Sequence, residues 1–119
     1  MGLNHMDRRK ELKEMYKNTK PSMGVFMIKH LSSNRCYIES AKDLIGIINS
    51  SKFKLGSGLH FNKELQKLWT KDGESNFIVE ILENLPYEEA EAKVDYTEEL
   101  NILKLIWVDR LKNEGMELI

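Results

Sequence analysis

Three short apolar runs in the chain have the pattern of β-strands. The first is Val25 to Ile28, and the second, Cys36 to Ile38, follows it after the turn-forming residues 32–34. The third run, Asn76 to Leu82, is rich in β-branched and aromatic residues, which favour strands. These patterns predict a hairpin and a third strand.

The first twenty residues predict a basic amphipathic helix. Its apolar side chains share one helical face at the i, i+3, i+4 spacing: Leu12, Met15 and Tyr16. Pro21 prevents the helix from continuing beyond Lys20. We therefore predict a basic N-terminal helix within residues 1–20 and a single globular unit over 21–119.

A second helix is predicted to begin at Leu44, because Ser40 and Asp43 have the spacing of a capping box. It is predicted to end near the serine pair 50–51, since serine is a poor helix former. The glycine-rich residues 56–58 are predicted as a loop.

Two more helices complete the predicted pattern. Asn62 is a suitable N-cap for the third helix, and Gly73 is placed to end it in a left-handed conformation. After Pro86, the segment Glu88 to Asn113 is predicted as one long helix. The order of elements predicts an α/β (α+β) domain whose three-stranded sheet needs helices on its faces.

Length and composition exclude several classes of protein. The chain has 119 residues, within the usual size of one domain, and Cys36 is its single cysteine, so an internal disulfide or a cysteine-rich zinc site is excluded. No apolar run approaches the roughly 20 residues that a membrane span needs, and the N-terminus lacks the apolar core of a signal peptide. We expect no structural metal, no membrane partner and a cytoplasmic location.

The net charge of −1 conceals two halves of opposite charge. Residues 1–71 hold 14 basic against 6 acidic side chains, whereas residues 72–119 hold 4 against 13. Two explanations stay open: the basic half faces an anionic partner such as nucleic acid, or the halves neutralise each other within the fold.

The hairpin carries motifs that resemble the GIY-YIG nuclease superfamily, as found in phage intron-encoded homing endonucleases. Gly24-Val25-Phe26 is similar to the GIY motif, and Tyr37-Ile38-Glu39 is similar to the YIG motif. Their order and spacing continue through a series of downstream anchors: His60, Leu65-Gln66, Gly73, Phe77, Ile81-Leu82-Glu83, Pro86-Tyr87 and Trp107. The resemblance implies a central three-stranded antiparallel sheet flanked by helices.

The resemblance also implies a nuclease site, and five positions of this chain depart from it. Phe26 replaces the tyrosine that activates water, and Glu39 replaces the YIG glycine. Ile47 replaces an arginine that stabilises phosphate charge, and Ser51 replaces a histidine one turn later. Lys104 replaces the metal-binding glutamate. We expect Phe26, Tyr37, Glu39, Ile47 and Lys104 to converge on one surface, with Lys104 paired to Glu39.

Two catalytic positions of the family are retained, Tyr37 and His60. Tyr37 is either a phosphate contact or a buried strand tyrosine whose hydroxyl has a partner. His60 follows a Gly-Ser-Gly loop, where a histidine is more often a surface residue than a ligand contact. With the base, the phosphate clamp and the metal ligand replaced together, the sequence indicates a degenerate, inactive nuclease fold without a cofactor.

Three functions remain open. The first is sequence-independent, salt-sensitive binding to DNA or RNA backbone through scattered basic residues. In the globular unit these are Lys29, Arg35, Lys42, Lys52 and Lys54, and the N-terminal helix adds Arg8, Arg9, Lys10 and Lys13. The second is an active endonuclease with a rearranged site, which would require Mg²⁺. The third is a protein-interaction domain.

Overall fold

The computed structural model describes residues 20–88 and 93–119. The predicted N-terminal helix lies outside the described residues apart from Lys20. No helix in the described ranges is long and apolar enough to cross a membrane.

The centre of the fold is a four-stranded sheet. Its strands are β1 (Met23–His30), β2 (Arg35–Ala41), β3 (Phe77–Leu85) and β4 (Glu117–Leu118), in the order β3-β1-β2-β4. The three predicted strands are antiparallel and are confirmed, each longer than its apolar run. The two-residue β4 pairs parallel to β2 and was not predicted, because two residues are too short to show a strand pattern.

Strand β1 lies between β2 and β3 and is covered on both faces. Phe26 and Ile28 pack into a cluster on one face, and Val25 and Met27 pack into a second cluster on the other. All four side chains are buried, which explains why this strand shows a continuous apolar run rather than an alternating one.

Gly24 lies at a close approach between β1 and β3. A Cβ atom placed there would overlap the backbone carbonyl oxygen of Glu83 and crowd the Cα of Asn84. The register between these strands shifts between Val25 and Phe26, where β3 contains one extra residue. Glycine is therefore required here by packing.

Helix α1 (Leu44–Ser57) begins where it was predicted but is capped differently. Asp43 is the N-cap, and its side chain accepts a hydrogen bond of 3.0 Å from the backbone N–H of Gly46. The predicted capping box is wrong because Ser40 belongs to β2.

The predicted end of α1 is also wrong. The helix continues through the serine pair and ends only at Gly58, which has the left-handed φ of 77°. Ser51 and Leu55 are buried on the same side of the helix as Ile48. Burial against the sheet outweighs the weak helix propensity of serine.

Helix α2 (Lys63–Asp72) is confirmed with its predicted cap. The side chain of Asn62 accepts a hydrogen bond of 3.0 Å from the N–H of Leu65. Gly73 ends the helix with a φ of 81°, but its ψ of 163° lies outside the expected left-handed helical conformation. A short 3₁₀ turn then leads into β3.

Helix α3 (Thr97–Asn113) is shorter than predicted. Glu88 and residues 93–96 are not helical, and the N–H of Thr97 donates a 3.0 Å hydrogen bond to the side chain of Asp95. The acidic residues before Thr97 would repel one another in a continuous helix. The predicted start at Glu88 is therefore wrong.

The three helices cover opposite faces of the sheet. Helices α1 and α2 contribute Leu44, Leu55 and Trp69 to the first cluster, beneath the Phe26 face. Helix α3 covers the Val25 face with Trp107 and Leu111. The two faces of the sheet therefore carry separate sets of side chains.

Candidate functional site

Tyr37 and Glu39 form a hydrogen-bonded pair on β2. Residues two apart on a strand lie on the same face, and here the Tyr37 hydroxyl donates to Oε2 of Glu39 at 2.9 Å. Tyr37 is buried, whereas Glu39 is partly exposed. Tyr37 is thus a buried strand tyrosine whose hydroxyl has a partner.

This environment holds the proton on the Tyr37 hydroxyl. Burial raises the pKa of Tyr37 most, and the charge of Glu39 and its hydrogen bond raise the pKa further. Tyr37 therefore remains a neutral phenol at physiological pH, and its proton is directed at a carboxylate rather than at solvent.

His60 lies beside this pair. Its exposed fraction is 2%, so the expectation that a loop histidine lies at the surface is wrong. Nδ1 accepts a 3.0 Å hydrogen bond from the N–H of Asn62, which places the proton of the neutral ring on Nε2. Nε2 is buried and has no partner within the described residues.

The ring of His60 is held in place and remains neutral. Burial lowers the pKa of His60 most, while the nearby Glu39 carboxylate opposes that effect. The ring contacts Tyr37 edge-on with centroids 5.5 Å apart. The two retained family residues and Glu39 are therefore brought together at one place.

The other replaced positions do not form the single surface that was expected. Phe26, the cross-strand neighbour of Glu39, is fully buried in the core, and Ser51 is buried on α1. Ile47 is partly exposed on α1, and Lys104 belongs to α3, which covers the other face of the sheet.

The predicted ion pair between Glu39 and Lys104 is wrong. Glu39 accepts its hydrogen bond from Tyr37, and no ion pair within 20–88 and 93–119 includes Lys104. In the same ranges, no group of three or more histidine, cysteine or acidic side chains is placed to hold a metal ion.

The predicted basic residues also lie on different sides of the fold. Arg35 forms an ion pair with Glu64 of α2, and Lys42 approaches Asp95 at 3.9 Å. Lys29 lies within β1 on the face that α3 covers, and its cross-strand neighbour on β2 is Cys36. Arg35 lies on the Tyr37 face of β2, and Lys54, exposed on α1, is close enough to His60 to lower the pKa of its ring.

Sequence reasoning missed a basic groove along α2. Lys63, Lys67 and Lys71 follow one another at four-residue intervals, so they lie on one side of the helix; we call them the lysine row. With His60, Gln66 and Thr70 they line an open groove of about 400 Å³. The i, i+4, i+8 spacing of the three lysines could have revealed the row.

Hydrogen bonds of Gln66 support the groove, and its lining lacks negative charge. The side-chain amide of Gln66 donates to the carbonyl oxygen of Leu55 at 2.9 Å, and its oxygen accepts from the N–H of His60 at the same distance. These bonds join the end of α1 to the start of α2. No carboxylate lines the groove, and no member of the lysine row forms an ion pair with another described residue.

The described fold is that of GIY-YIG nuclease domains. The catalytic domain of homing endonuclease I-TevI is similar, with a TM-score of 0.63 and 26% identity over 82% of this chain and 97% of that chain. A glutamate-to-alanine mutant of the same I-TevI domain gives a TM-score of 0.62 and 26% identity, over 81% of this chain and 90% of that chain. No protein-family model and no curated protein matches the chain.

Proposed function

We propose that this protein is a nuclease-like domain that binds nucleic-acid backbone and has lost phosphodiester hydrolysis. The observation that carries the proposal is the replacement of the water-activating tyrosine by Phe26, a fully buried core residue. The hydroxyl that remains nearby, on Tyr37, is bonded to Glu39.

Hydrolysis of a phosphodiester needs an activated water and stabilisation of the charge that develops on phosphate. Phe26 has no hydroxyl with which to move a proton, and Ile47 offers phosphate no hydrogen-bond donor. Lys104 carries an ammonium, which has no lone pair for a divalent cation and repels it. Because such groups act as one unit, the loss of all three leaves little activity to retain.

The lysine row supports the binding part of the proposal. Like charges four residues apart destabilise a helix slightly. Three such lysines therefore reduce the stability of α2, and no ion pair with a described residue offsets the loss. A row of exposed ammonium groups suits the phosphates of a nucleic acid, which bind without regard to sequence. Lys52 and Lys54 add positive charge on the neighbouring helix α1.

A duplex-binding titration tests the binding part. We expect the affinity of the protein for a fluorescent 20-base-pair DNA to fall about 40-fold between 50 and 200 mM salt, as three phosphate contacts would require. Lys67→Ala should weaken binding and flatten this dependence. Lys112→Ala, which removes an exposed lysine of α3, is the matched control and should change neither. An affinity that does not respond to salt would refute the proposal.

A plasmid-nicking assay tests the loss of hydrolysis. We expect no nicking by the unmodified protein with Mg²⁺ or Mn²⁺. The variant Phe26→Tyr, Ile47→Arg, Lys104→Glu supplies the minimum set of missing groups, and Lys104→Glu alone should remain inactive. Metal-dependent nicking by the unmodified protein that disappears in Tyr37→Phe would show that the enzyme is active.

A second function, an active endonuclease with a rearranged site, is favoured by one observation. Glu39 is a proton acceptor hydrogen-bonded to Tyr37 and close to the neutral ring of His60. Such a pair could move a proton if water reached Tyr37. In that case Glu39→Gln should abolish metal-dependent nicking, whereas it should have no effect if the protein is inactive.

A further inference from the structure

Phe61 is an exposed aromatic ring that is nevertheless held in one orientation. Its exposed fraction is 67%, far above that of a core aromatic residue. It stacks on the buried ring of His60, with centroids 4.6 Å apart and planes inclined by 23°. It also meets Tyr37 edge-on at 6.1 Å.

These contacts leave a flat apolar surface open to solvent. One side of the Phe61 ring is covered by His60, which is itself fixed by the N–H of Asn62. A ring already ordered in this way loses little conformational freedom when a second flat molecule stacks on it. Phe61 is therefore suited to receive a planar partner.

The charge around Phe61 indicates what that partner is. His60 lines the same groove as the lysine row, so the exposed ring lies at the edge of a basic surface. Four-residue intervals place successive lysines about 6 Å apart along the helix axis, a spacing comparable with that of successive phosphates in an extended strand. A planar apolar group followed by regularly spaced anions is the chemistry of an unpaired nucleotide chain.

We propose that Phe61 stacks on an unpaired base while the lysine row binds the phosphates of the same single strand. This inference rests on the proposed nucleic-acid binding and names its substrate class. Base-paired duplex presents its base faces to neighbouring bases, so it can use the lysine row but not Phe61. The protein should therefore prefer single strands or duplexes with an unpaired end.

Fluorescence anisotropy with four labelled 12-mers tests the proposal: dT12, rU12, an abasic DNA strand with the same number of phosphates, and a duplex. We expect the full chain to bind dT12 more tightly than the abasic strand or the duplex. Phe61→Ala should weaken dT12 binding about tenfold, a loss typical of one stacked base, and change the other two DNA probes less than twofold. Comparison of rU12 with dT12 shows which of RNA and DNA binds more tightly, and Phe61→Ala should weaken the binding of both single strands.

Two further variants separate stacking from other effects. Phe61→Trp keeps a flat ring and should retain dT12 binding, whereas Phe61→Leu keeps apolar volume and should lose it. Phe53→Ala is the matched control, because Phe53 is 73% exposed yet has no ring contact with any residue in 20–88 or 93–119. It should bind all probes normally.

The outcomes distinguish this inference from the proposed function. If dT12 and the abasic strand bind equally, or if Phe61→Ala has no effect while Lys67→Ala weakens every probe, stacking is refuted and backbone binding stands. If no probe binds even at 50 mM salt, the proposed function itself fails. Unfolding curves of the Phe61 variants should match the unmodified protein, and a large loss of stability would contradict the exposed position of the ring.

Discussion

Replacing Tyr37 by phenylalanine removes one hydroxyl and leaves the aromatic ring, so it isolates the hydrogen bond to Glu39. The ring contacts with His60 and Phe61 do not involve the hydroxyl and should persist. The lost bond joins a buried donor to a charged acceptor at 2.9 Å. Any change in stability therefore reports this one interaction.

The expected loss is about 1 to 1.5 kcal/mol. A hydrogen bond to a charged group contributes roughly 1.5 to 3 kcal/mol to stability. Because Glu39 is partly exposed, water can replace the lost donor, so the expected loss lies at or below the lower end of that range. For a chain of this length, such a loss lowers the midpoint of thermal unfolding by roughly 3 to 8 °C.

Urea unfolding of four proteins measures the interaction: the unmodified protein, Tyr37→Phe, Glu39→Gln and the double variant. If the two side chains interact as described, the effects of the single changes will not add, and the coupling will be about 1 kcal/mol. Tyr87→Phe, which removes a hydroxyl bonded to the carbonyl oxygen of Pro21 near the surface, is the control and should cost less. Additive effects of the two changes would refute the pairing of Tyr37 with Glu39.

Three further predictions concern stability. Burial lowers the pKa of His60 in the folded protein, so the unfolded chain takes up this proton more readily and stability should fall as the pH drops below about 6.5. Urea titrations at pH 7.5 and 5 should show a smaller fall for His60→Asn. Trp69→Ala should cost about 3 to 5 kcal/mol, because Trp69 is buried and its ring packs against Phe77 with centroids 4.9 Å apart; a loss below about 1 kcal/mol would contradict its place in the core. Arg35→Ala should cost less than about 1 kcal/mol, because Glu64, the partner in its ion pair, is 53% exposed and solvent screens the pair, and a larger loss in the same assay would show that the pair is structural.

The three antiparallel strands could be predicted because each carries a local apolar signal. The end of α1 could not, since Ser51 is helical only because the folded chain buries it. The lysine row has a clear spacing, but only the structure shows that it lines a groove with His60. The expected pairing of Glu39 with Lys104 failed because a linear motif does not tell which face of the sheet the last helix covers.

Gly24 and Phe26 are two residues apart in the same motif, but different requirements act on them. Steric room between neighbouring strands decides what can stand at Gly24, since any side chain there would collide with the backbone at Glu83. At position 26 the side chain of Phe26 fills the core. Phenylalanine, which differs from tyrosine only by lacking the hydroxyl, fits at position 26, whereas no residue with a side chain fits at position 24. Position 24 therefore fixes how closely two strands approach, whereas under the proposed function the residue at position 26 decides whether a hydroxyl is available.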